Sequence, residues 1–261
     1  CLMDTLSMVH CRNLPASVTD TPLSIGGTRG HSGATSAGCL DCARVALREL
    51  DVPLVGSRAV LQGFGKVGGP LAFLLSSAGM RVVAVSDVGG AVLNEGGLDT
   101  GALADHVSET GSVAGFGGGE PIAADTIWDI ECELLVPAAL GGVIDADVAE
   151  RIVARLVVEA ANGPTTVEAQ PVLDRRGVVV VPDILANAGG VTASYFEWAQ
   201  AQQGYPWEDQ VVAERLRQRM ESAFTSVWAR AQTLGVGMRT AAHVVAVERV
   251  ADAISARGLF P

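Results

Sequence analysis

Residues 63–68 are Gly63-Phe64-Gly65-Lys66-Val67-Gly68, which has the spacing G-x-G-x-x-G. A short apolar run at 59–61 comes just before this stretch, and an apolar pattern of helical period at 67–78 follows it. A second apolar run at 82–85 comes next and ends at Asp87. This order predicts a strand, a glycine turn, a helix and a second strand, which together form a βαβ unit of a parallel sheet.

Each glycine of the turn meets a different physical requirement. Gly63 permits a tight turn, Gly65 lets the backbone approach a pyrophosphate, and Gly68 lets the helix pack closely on the strand. The helix start offers unpaired N–H groups to phosphates, and Asp87 is placed to accept hydrogen bonds from ribose hydroxyls. The turn at 63–68 therefore predicts a dinucleotide site. The alternative is that its glycines only form a turn and bind no ligand.

The alternation of strands and helices continues along the chain. Further strands are predicted at 133–136, 156–159 and 178–181, and helices at 34–50, 145–154 and 166–174. Residues 111–119 are rich in glycine and predict a surface loop. Three long helical patterns close the chain, at 191–203, 208–234 and 240–256. We therefore predict an α/β fold, a Rossmann-like doubly wound parallel sheet flanked by helices at both chain ends.

Small and polar residues follow the predicted strands. Ala138 follows one strand, Asn162 the next and Asn187 the third. In an open parallel sheet the ligand crevice lies at the carboxyl ends of the strands, so these three loops are expected to converge there. An ordinary turn role remains open for each asparagine.

Composition limits the function classes. The 261 residues are 49% hydrophobic, which supports a substantial core, and the formal net charge of −11 argues against nucleic acid and anionic membranes as partners. No apolar run approaches the roughly 20 residues that span a bilayer. Five cysteines, an odd number, and no signal peptide predict a cytoplasmic protein.

Several other signals have a structural explanation. The pair Cys39 and Cys42 lies in a helical pattern without a second pair, so packing is predicted and no metal site, and the histidines show no ligand spacing. His31 is interpreted as a solvated loop residue and Asp183 as the cap of the following helix. Tyr195 and Trp198 are interpreted as core residues.

Longer motifs resemble the glutamate dehydrogenase family. The strongest is PDILANAGGVTASYFEW at 182–198, and EAANGPTT at 159–166, PAAL at 137–140 and RTAAH at 239–243 agree with it. Shorter matches are MDT at 3–5, VT at 18–19, GGT at 26–28 and AT at 34–35. The motif around Asn187 distinguishes this resemblance from the leucine, phenylalanine and valine branch of the same superfamily.

The resemblance implies reversible oxidative deamination of L-glutamate to 2-oxoglutarate and ammonia with NAD(P). It implies that Thr35 and Asn187 hold the nicotinamide amide, that Asn162 contacts the nicotinamide ribose, and that the backbone at Ala138 passes the cofactor. It also implies that Ser194 helps to hold the side-chain carboxylate of glutamate. Three residues depart from the family, because Gly33, Ser36 and Ala37 stand where an acid, a glycine and an arginine are more common.

The resemblance also implies that this chain lacks the substrate domain of the family. The family carries its catalytic lysine and aspartate in a preceding substrate domain, so no catalytic residue is expected in this chain, and its only lysine, Lys66, lies in the phosphate turn. We predict a helical or hinge segment at 1–24, a dinucleotide-binding domain at 25–205, and C-terminal helices at 206–261 that pack back toward the substrate domain.

The expected cofactor is NAD rather than NADP, since no basic residue follows Asp87 to hold a 2′-phosphate. The family forms homo-oligomers, largely through the substrate domain. Two alternatives remain open: a dehydrogenase of another class, such as one acting on hydroxy acids, and a catalytically silent dinucleotide-binding module or fragment. The hydroxy-acid class gives no reason for the motif at 182–198.

Overall fold

The computed structural model describes residues 2–25, 27–28, 30–31 and 33–258. Cys1 and Gly26, used in the sequence analysis, lie outside these ranges. The helices are α1 Leu2–Val9, α2 Ala34–Glu49, α3 Gly68–Ser77, α4 Thr100–Thr110, α5 Ala146–Arg151, α6 Ala169–Arg175, α7 Asp183–Ala186, α8 Gly189–Gln203, α9 Asp209–Leu234 and α10 Met238–Arg257. Short 3-10 turns lie at Pro15–Ser17, Leu23–Ile25 and Ala124–Asp129.

Seven strands form one sheet in the order β4-β3-β2-β1-β5-β6-β7. The strands are β1 Arg58–Gln62, β2 Arg81–Asp87, β3 Gly90–Leu93, β4 Glu120–Ile122, β5 Leu134–Pro137, β6 Leu156–Val158 and β7 Val179–Val181. Strand β1 pairs in parallel with β2 on one side and β5 on the other, so the chain reverses its direction of travel across the sheet between them. In open α/β sheets this switch point is where the ligand crevice forms.

The parallel strands are buried on both faces, as their unbroken apolar runs predict. Val60 faces a core with the helices α5 and α6, whereas Ala59 and Leu61 face a core with α2, α3 and α9. All three side chains are fully buried. The predicted α/β fold with helices at both ends is confirmed.

The expectation that the whole sheet is parallel is wrong at one edge. Strands β3 and β4 run antiparallel, because β2 turns back into β3 through the two-residue connection Val88–Gly89. Asp87 pairs with Gly90 across this hairpin. A hairpin needs only two connecting residues, whereas a parallel return needs a crossover of a dozen or more.

Helices α2 and α8 approach closely because glycines line their contact. A Cβ built on Gly189 would lie 2.1 Å from the carbonyl oxygen of Ala34, and one on Gly38 would lie 3.1 Å from the Cα of Gly189. Helix α9 also packs against α2 here, since Cε of its buried Met220 lies 3.1 Å from the Cβ position of Gly38. The contact fixes the start of α2 beside the start of α8.

The division of the chain into three parts, with boundaries at 24/25 and 205/206, stays a prediction.

Two aromatic residues are not in the core, contrary to expectation. Tyr195 is 55% exposed and Trp198 is 41% exposed, and their rings stack on each other with centroids 5.8 Å apart. The buried side of α8 is formed instead by Ala193, Phe196 and Glu197. Helical spacing alone places these residues on one helix face but does not say which face meets the core.

Candidate functional site

The turn after β1 has the geometry that its glycines predict. Gly63 has φ +108°, a left-handed conformation that L side chains rarely adopt, and a Cβ there would lie 2.9 Å from the backbone of Ala138. A Cβ on Gly68 would lie 2.0 Å from the carbonyl oxygen of Gly63. Both positions therefore exclude a side chain because the backbone folds tightly on itself and on the loop after β5.

Gly65 differs from these two glycines, because a Cβ built on it would meet nothing within 4 Å. In the described part of the chain, the backbone N–H groups of Gly65, Lys66 and Val67 donate no hydrogen bond. Helix α3 begins directly afterwards at Gly68, with its partial positive charge at that end. Open space, free N–H groups and a helix start together form a cradle that fits a pyrophosphate.

The side chains of this turn point to two different environments. Phe64 is 8% exposed and packs in the core beside Gly69, so only its backbone belongs to the predicted site. Lys66 is exposed, and Ser36 of α2 donates a hydrogen bond to the carbonyl of Val67 at 2.8 Å. The last contact joins the start of α2 to the turn.

Asp87 stands at the end of β2, where the sequence predicts the ribose contact, and its carboxylate already accepts several hydrogen bonds. Oδ1 accepts from the N–H of Gly89 at 2.8 Å, the N–H of Gly90 at 3.2 Å and the hydroxyl of Ser112 at 2.9 Å, and Oδ2 accepts from the N–H of Val113 at 2.7 Å. Asp87 thus links the glycine-rich loop at 111–119 to the hairpin of β2 and β3. That contact was not foreseen from the sequence. Oδ2 keeps acceptor capacity for a further donor.

The loops after β5, β6 and β7 meet at one edge of the sheet, as predicted. Asn187 donates from Nδ2 to Oδ1 of Asn162 at 2.7 Å, which joins two residues that the sequence separates by 25 positions. Ala138 lies against the turn at 63–68, and its own N–H donates to the carbonyl of Gln62 at 2.7 Å. The structure therefore brings together Ala138 with the turn, and Asn162 with Asn187.

A buried ion-pair network, which sequence reasoning missed, supports these loops. Glu159 is fully buried, and its carboxylate accepts from Arg239 of α10 at 2.5 Å and from the N–H of Asp183 at 2.8 Å. Asp183 in turn accepts from the N–H of Gly163 at 2.8 Å, next to Asn162. Asp183 is thus not the helix cap, because Pro182 occupies that position.

Thr35 lies near the start of α2, and Ser194 lies in α8. The hydroxyl of Thr35 lies 2.8 Å from the Cβ position of Gly190. Oγ of Ser194 lies 2.9 Å from Nε2 of His31, and Nδ1 of the same ring lies 3.1 Å from Oδ1 of Asp20. His31 is therefore not a freely solvated loop residue, because it links the segment around Asp20 to Ser194.

The anchor for that segment is Glu197, which is 2% exposed. Its carboxylate accepts from the N–H of Asp20 at 2.9 Å, the N–H of Thr21 at 3.0 Å and the hydroxyl of Thr21. A buried carboxylate needs such donors to offset its desolvation. Glu197 thereby fixes residues 20–21 on α8, one turn away from Ser194.

The cysteine pair packs in the core, as predicted. Cys39 and Cys42 are free and fully buried, and burial raises the pKa of the Cys39 thiol to about 12. Thiols bind metals and attack carbonyl carbons as thiolates. A neutral, buried Cys39 suits neither role.

None of the helices in the described ranges combines the length and the apolar character that crossing a bilayer requires.

Comparison with known proteins connects this site to a family. Residues 26–258 match the family model described as Glutamate/Leucine/Phenylalanine/Valine dehydrogenase. The "Glutamate dehydrogenase" of Thermotoga maritima is 44% identical over 99% of this chain and 62% of its own length. The "NAD-specific glutamate dehydrogenase" of Staphylococcus aureus (strain COL) is 39% identical over 98% of this chain and 62% of its own length.

Among solved structures, the hetero-hexameric glutamate dehydrogenase of Thermus thermophilus in its Leu-bound form superimposes with a TM-score of 0.92 at 35% identity. The match covers 100% of this chain and 62% of that chain. This chain thus spans about three fifths of the length of the relatives that it matches. The turn at 63–68 and the joined strand-end loops agree with this match, and the chain belongs to the Glutamate/Leucine/Phenylalanine/Valine dehydrogenase family.

Proposed function

We propose that this chain forms the NAD-binding part of a cytoplasmic glutamate dehydrogenase, with L-glutamate and 2-oxoglutarate as its substrates. The observation that carries the proposal is the cradle at Gly65, with open space above it, free N–H groups and the start of α3. The relatives named for glutamate dehydrogenase activity, one of them NAD-specific, support the choice of substrate and cofactor.

The protein's part in this chemistry is to orient the reactants. When bound, the dinucleotide supplies the hydride acceptor. Asn187 and Thr35 would hold the nicotinamide amide, and Asn162, joined to Asn187, would contact its ribose. The pair is held in place by the Glu159, Arg239 and Asp183 network below it. At the other end of the crevice, the turn at 63–68 and Asp87 would hold the pyrophosphate and the adenosine ribose.

Ser194 would contact the side-chain carboxylate of glutamate, and His31 would orient the serine hydroxyl. A carboxylate only accepts hydrogen bonds, so the hydroxyl of Ser194 would donate to it, and Nε2 of His31, whose Nδ1 lies 3.1 Å from Oδ1 of Asp20, would donate to the serine oxygen. The hydroxyl hydrogen of Ser194 would then be directed to the substrate carboxylate. Titration of the 261-residue chain with NAD by calorimetry tests the proposal, and absence of saturable binding would contradict it.

A first prediction concerns the choice between the two dinucleotides. We expect NAD to bind at least about tenfold more tightly than NADP, because a 2′-phosphate would approach the Asp87 carboxylate without a cation to meet it. Val88, at the tip of the hairpin, is fully exposed, so Val88→Arg adds a cation there without loss of packing. This variant should reduce the difference between the affinities for NAD and NADP. Val247→Arg, at an exposed position of α10, is the matched control. Tighter binding of NADP to the parent chain would contradict the prediction.

A second prediction concerns turnover. The reaction needs a base of lowered pKa near the substrate and cations for its two carboxylates, but the only lysine of this chain is exposed in the phosphate turn. We expect the 261-residue chain to bind NAD and to oxidise glutamate only at a rate close to background. A steady-state assay measures this, and turnover of about 1 per second or more would show a complete active site within the chain.

The alternative function is a catalytically silent dinucleotide-binding module, and the position of Lys66 is the observation that favours it. The two functions differ in their response to glutamate. If the chain is part of a glutamate dehydrogenase and Ser194 belongs to its substrate site, the chain should bind 2-oxoglutarate weakly once NAD is present. Ser194→Ala should weaken that binding further. A silent module should show neither effect.

A further inference from the structure

A large cavity lies among α2, α3, α4 and α9, on one face of the sheet. Its volume is about 720 Å³, and small-molecule sites measure roughly 300–1,000 Å³. The walls are mainly apolar and include Ala37, Phe64, Leu74, Val107 and Leu216. Of the residues expected to hold the dinucleotide, only Phe64 lines this cavity. The cavity therefore borders the turn at 63–68 but has mostly different lining residues.

The carboxylate of Asp41 is the buried acidic group of this apolar space. Asp41, in the middle of α2, lines the cavity and is 6% exposed. Its nearest cation is Arg44, with Nη1 3.8 Å from Oδ1, which is too far for a hydrogen bond. Within the described ranges no group donates a hydrogen bond to this carboxylate. A carboxylate in such a position lacks the donors that normally offset its burial.

The electrostatic surroundings of Asp41 agree with this description. Burial raises its pKa to about 6, and the attraction of Arg44 offsets only part of that effect. From α9, Glu221 raises the pKa further and Arg217 lowers it. Asp209 of α9 also lines the cavity, and no lysine or arginine stands among the described lining residues. At neutral pH the space therefore presents hydrocarbon walls and the carboxylate of Asp41.

We propose that this cavity binds an apolar molecule that carries a protonated amine, with the ammonium group on Asp41 and the hydrocarbon part against Phe64, Leu74 and Leu216. The ammonium supplies the donors that the carboxylate lacks, and a charge-assisted hydrogen bond is about twice as strong as a neutral one. A neutral molecule of the same shape would leave the carboxylate without a donor. An anion would be repelled by Asp41. This inference goes beyond the proposed dehydrogenase function and does not depend on it.

The probe for the test is 2-phenylethylamine, and 2-phenylethanol is the neutral molecule of matching shape. Calorimetric titrations of the 261-residue chain at about pH 7.5 should show the amine binding at least about tenfold more tightly than the alcohol. In Asp41→Asn, which keeps the shape of the side chain, this difference should disappear. Asp105→Asn, at an exposed position of α4, is the matched control and should behave like the parent chain.

Two further measurements distinguish binding of the probes in the cavity from binding elsewhere on the chain. Ala104→Phe fills part of the space from an exposed wall position and should weaken both probes. Lowering the pH to about 5 should weaken only the amine, by about tenfold, because Asp41 with a pKa of about 6 is then mostly protonated. The pH effect should be absent in Asp41→Asn.

Thermal melting confirms that each variant is folded. Equal affinity of the amine and the alcohol for the parent chain would overturn the proposal. So would retention of the amine preference in folded Asp41→Asn, or no binding of either probe at about 10 mM. NAD binding measured on the same samples keeps a failure here distinguishable from a failure of the dehydrogenase proposal.

Discussion

Replacement of Gly65 by valine should abolish most of the NAD affinity of this chain while leaving its fold intact. A Cβ at this position meets nothing within 4 Å in the protein itself, so the substitution creates no internal clash. The valine side chain would instead occupy the space above the free N–H groups, where a pyrophosphate must approach the backbone. We expect a loss of roughly a hundredfold in affinity, about 3 kcal/mol, measured by calorimetry.

The matched control is Gly117→Val in the surface loop after α4. Gly117 is exposed, has no neighbour within 4 Å of a Cβ and does not adopt a positive φ, so the same substitution is equally free of strain there. It should leave both NAD affinity and the melting temperature close to those of the parent. A folded Gly65→Val chain that binds NAD as tightly as the control would show that the dinucleotide site lies elsewhere.

Removal of the Arg239 guanidinium should cause the largest loss of stability. Glu159 is fully buried and Arg239 is the cation that pairs with it. Among the described residues, Arg239→Met leaves this carboxylate with one hydrogen-bond donor, the N–H of Asp183 at 2.8 Å. Breaking such a pair from one side costs about 3–5 kcal/mol. Urea unfolding of the variant should show a decrease of that order in the free energy of unfolding.

Two comparisons identify the cause of that loss. Arg217→Met breaks the exposed pair with Glu214 and should cost less than about 1 kcal/mol. The double variant Glu159→Gln with Arg239→Met removes the buried charge as well, and should be more stable than Arg239→Met alone. If Arg239→Met and Arg217→Met lose the same stability, the buried pair is not what holds α10 to the strand-end loops.

The sequence was sufficient to predict the part of the fold that rests on local geometry. The turn at 63–68 combines two constraints that only glycine satisfies, a positive φ at Gly63 and a 2.0 Å approach at Gly68. The unbroken apolar run of β1 predicts a strand buried on both faces, and β1 is such a strand. These features depend on residues close together in sequence, so the pattern of residue types contains them.

Helix α4 was missed although signals for it are present. Asp99 caps the helix by accepting from the N–H groups of Gly101 and Ala102, and Gly111 ends it with φ +83°. An Asp and a Gly at these positions are ordinary start and stop signals. The antiparallel strands β3 and β4 have four and three residues, which is too short for a clear apolar alternation.

The supporting contacts of the site could not be predicted, for a different reason. Glu159 and Arg239 lie 80 positions apart, and Glu197 and Thr21 lie 176 apart. Each residue has an ordinary solvated role when considered alone, and only tertiary packing brings the partners together. The exposure of Tyr195 and Trp198 depends likewise on which face of α8 meets α2. The assignment of site residues to cofactor and substrate remains a prediction that the variants above address.

The position of Lys66 gives this protein a practical property. Its ammonium group is exposed on the turn that is proposed to receive the pyrophosphate, and no other side chain in the 261 residues carries a primary amine. A reagent that acylates primary amines therefore has one side-chain target. Attachment of a fluorophore at that amine would place a reporter at the mouth of the crevice without any engineered cysteine. In a purified sample, protection of that side-chain amine from labelling would then measure occupancy of the turn.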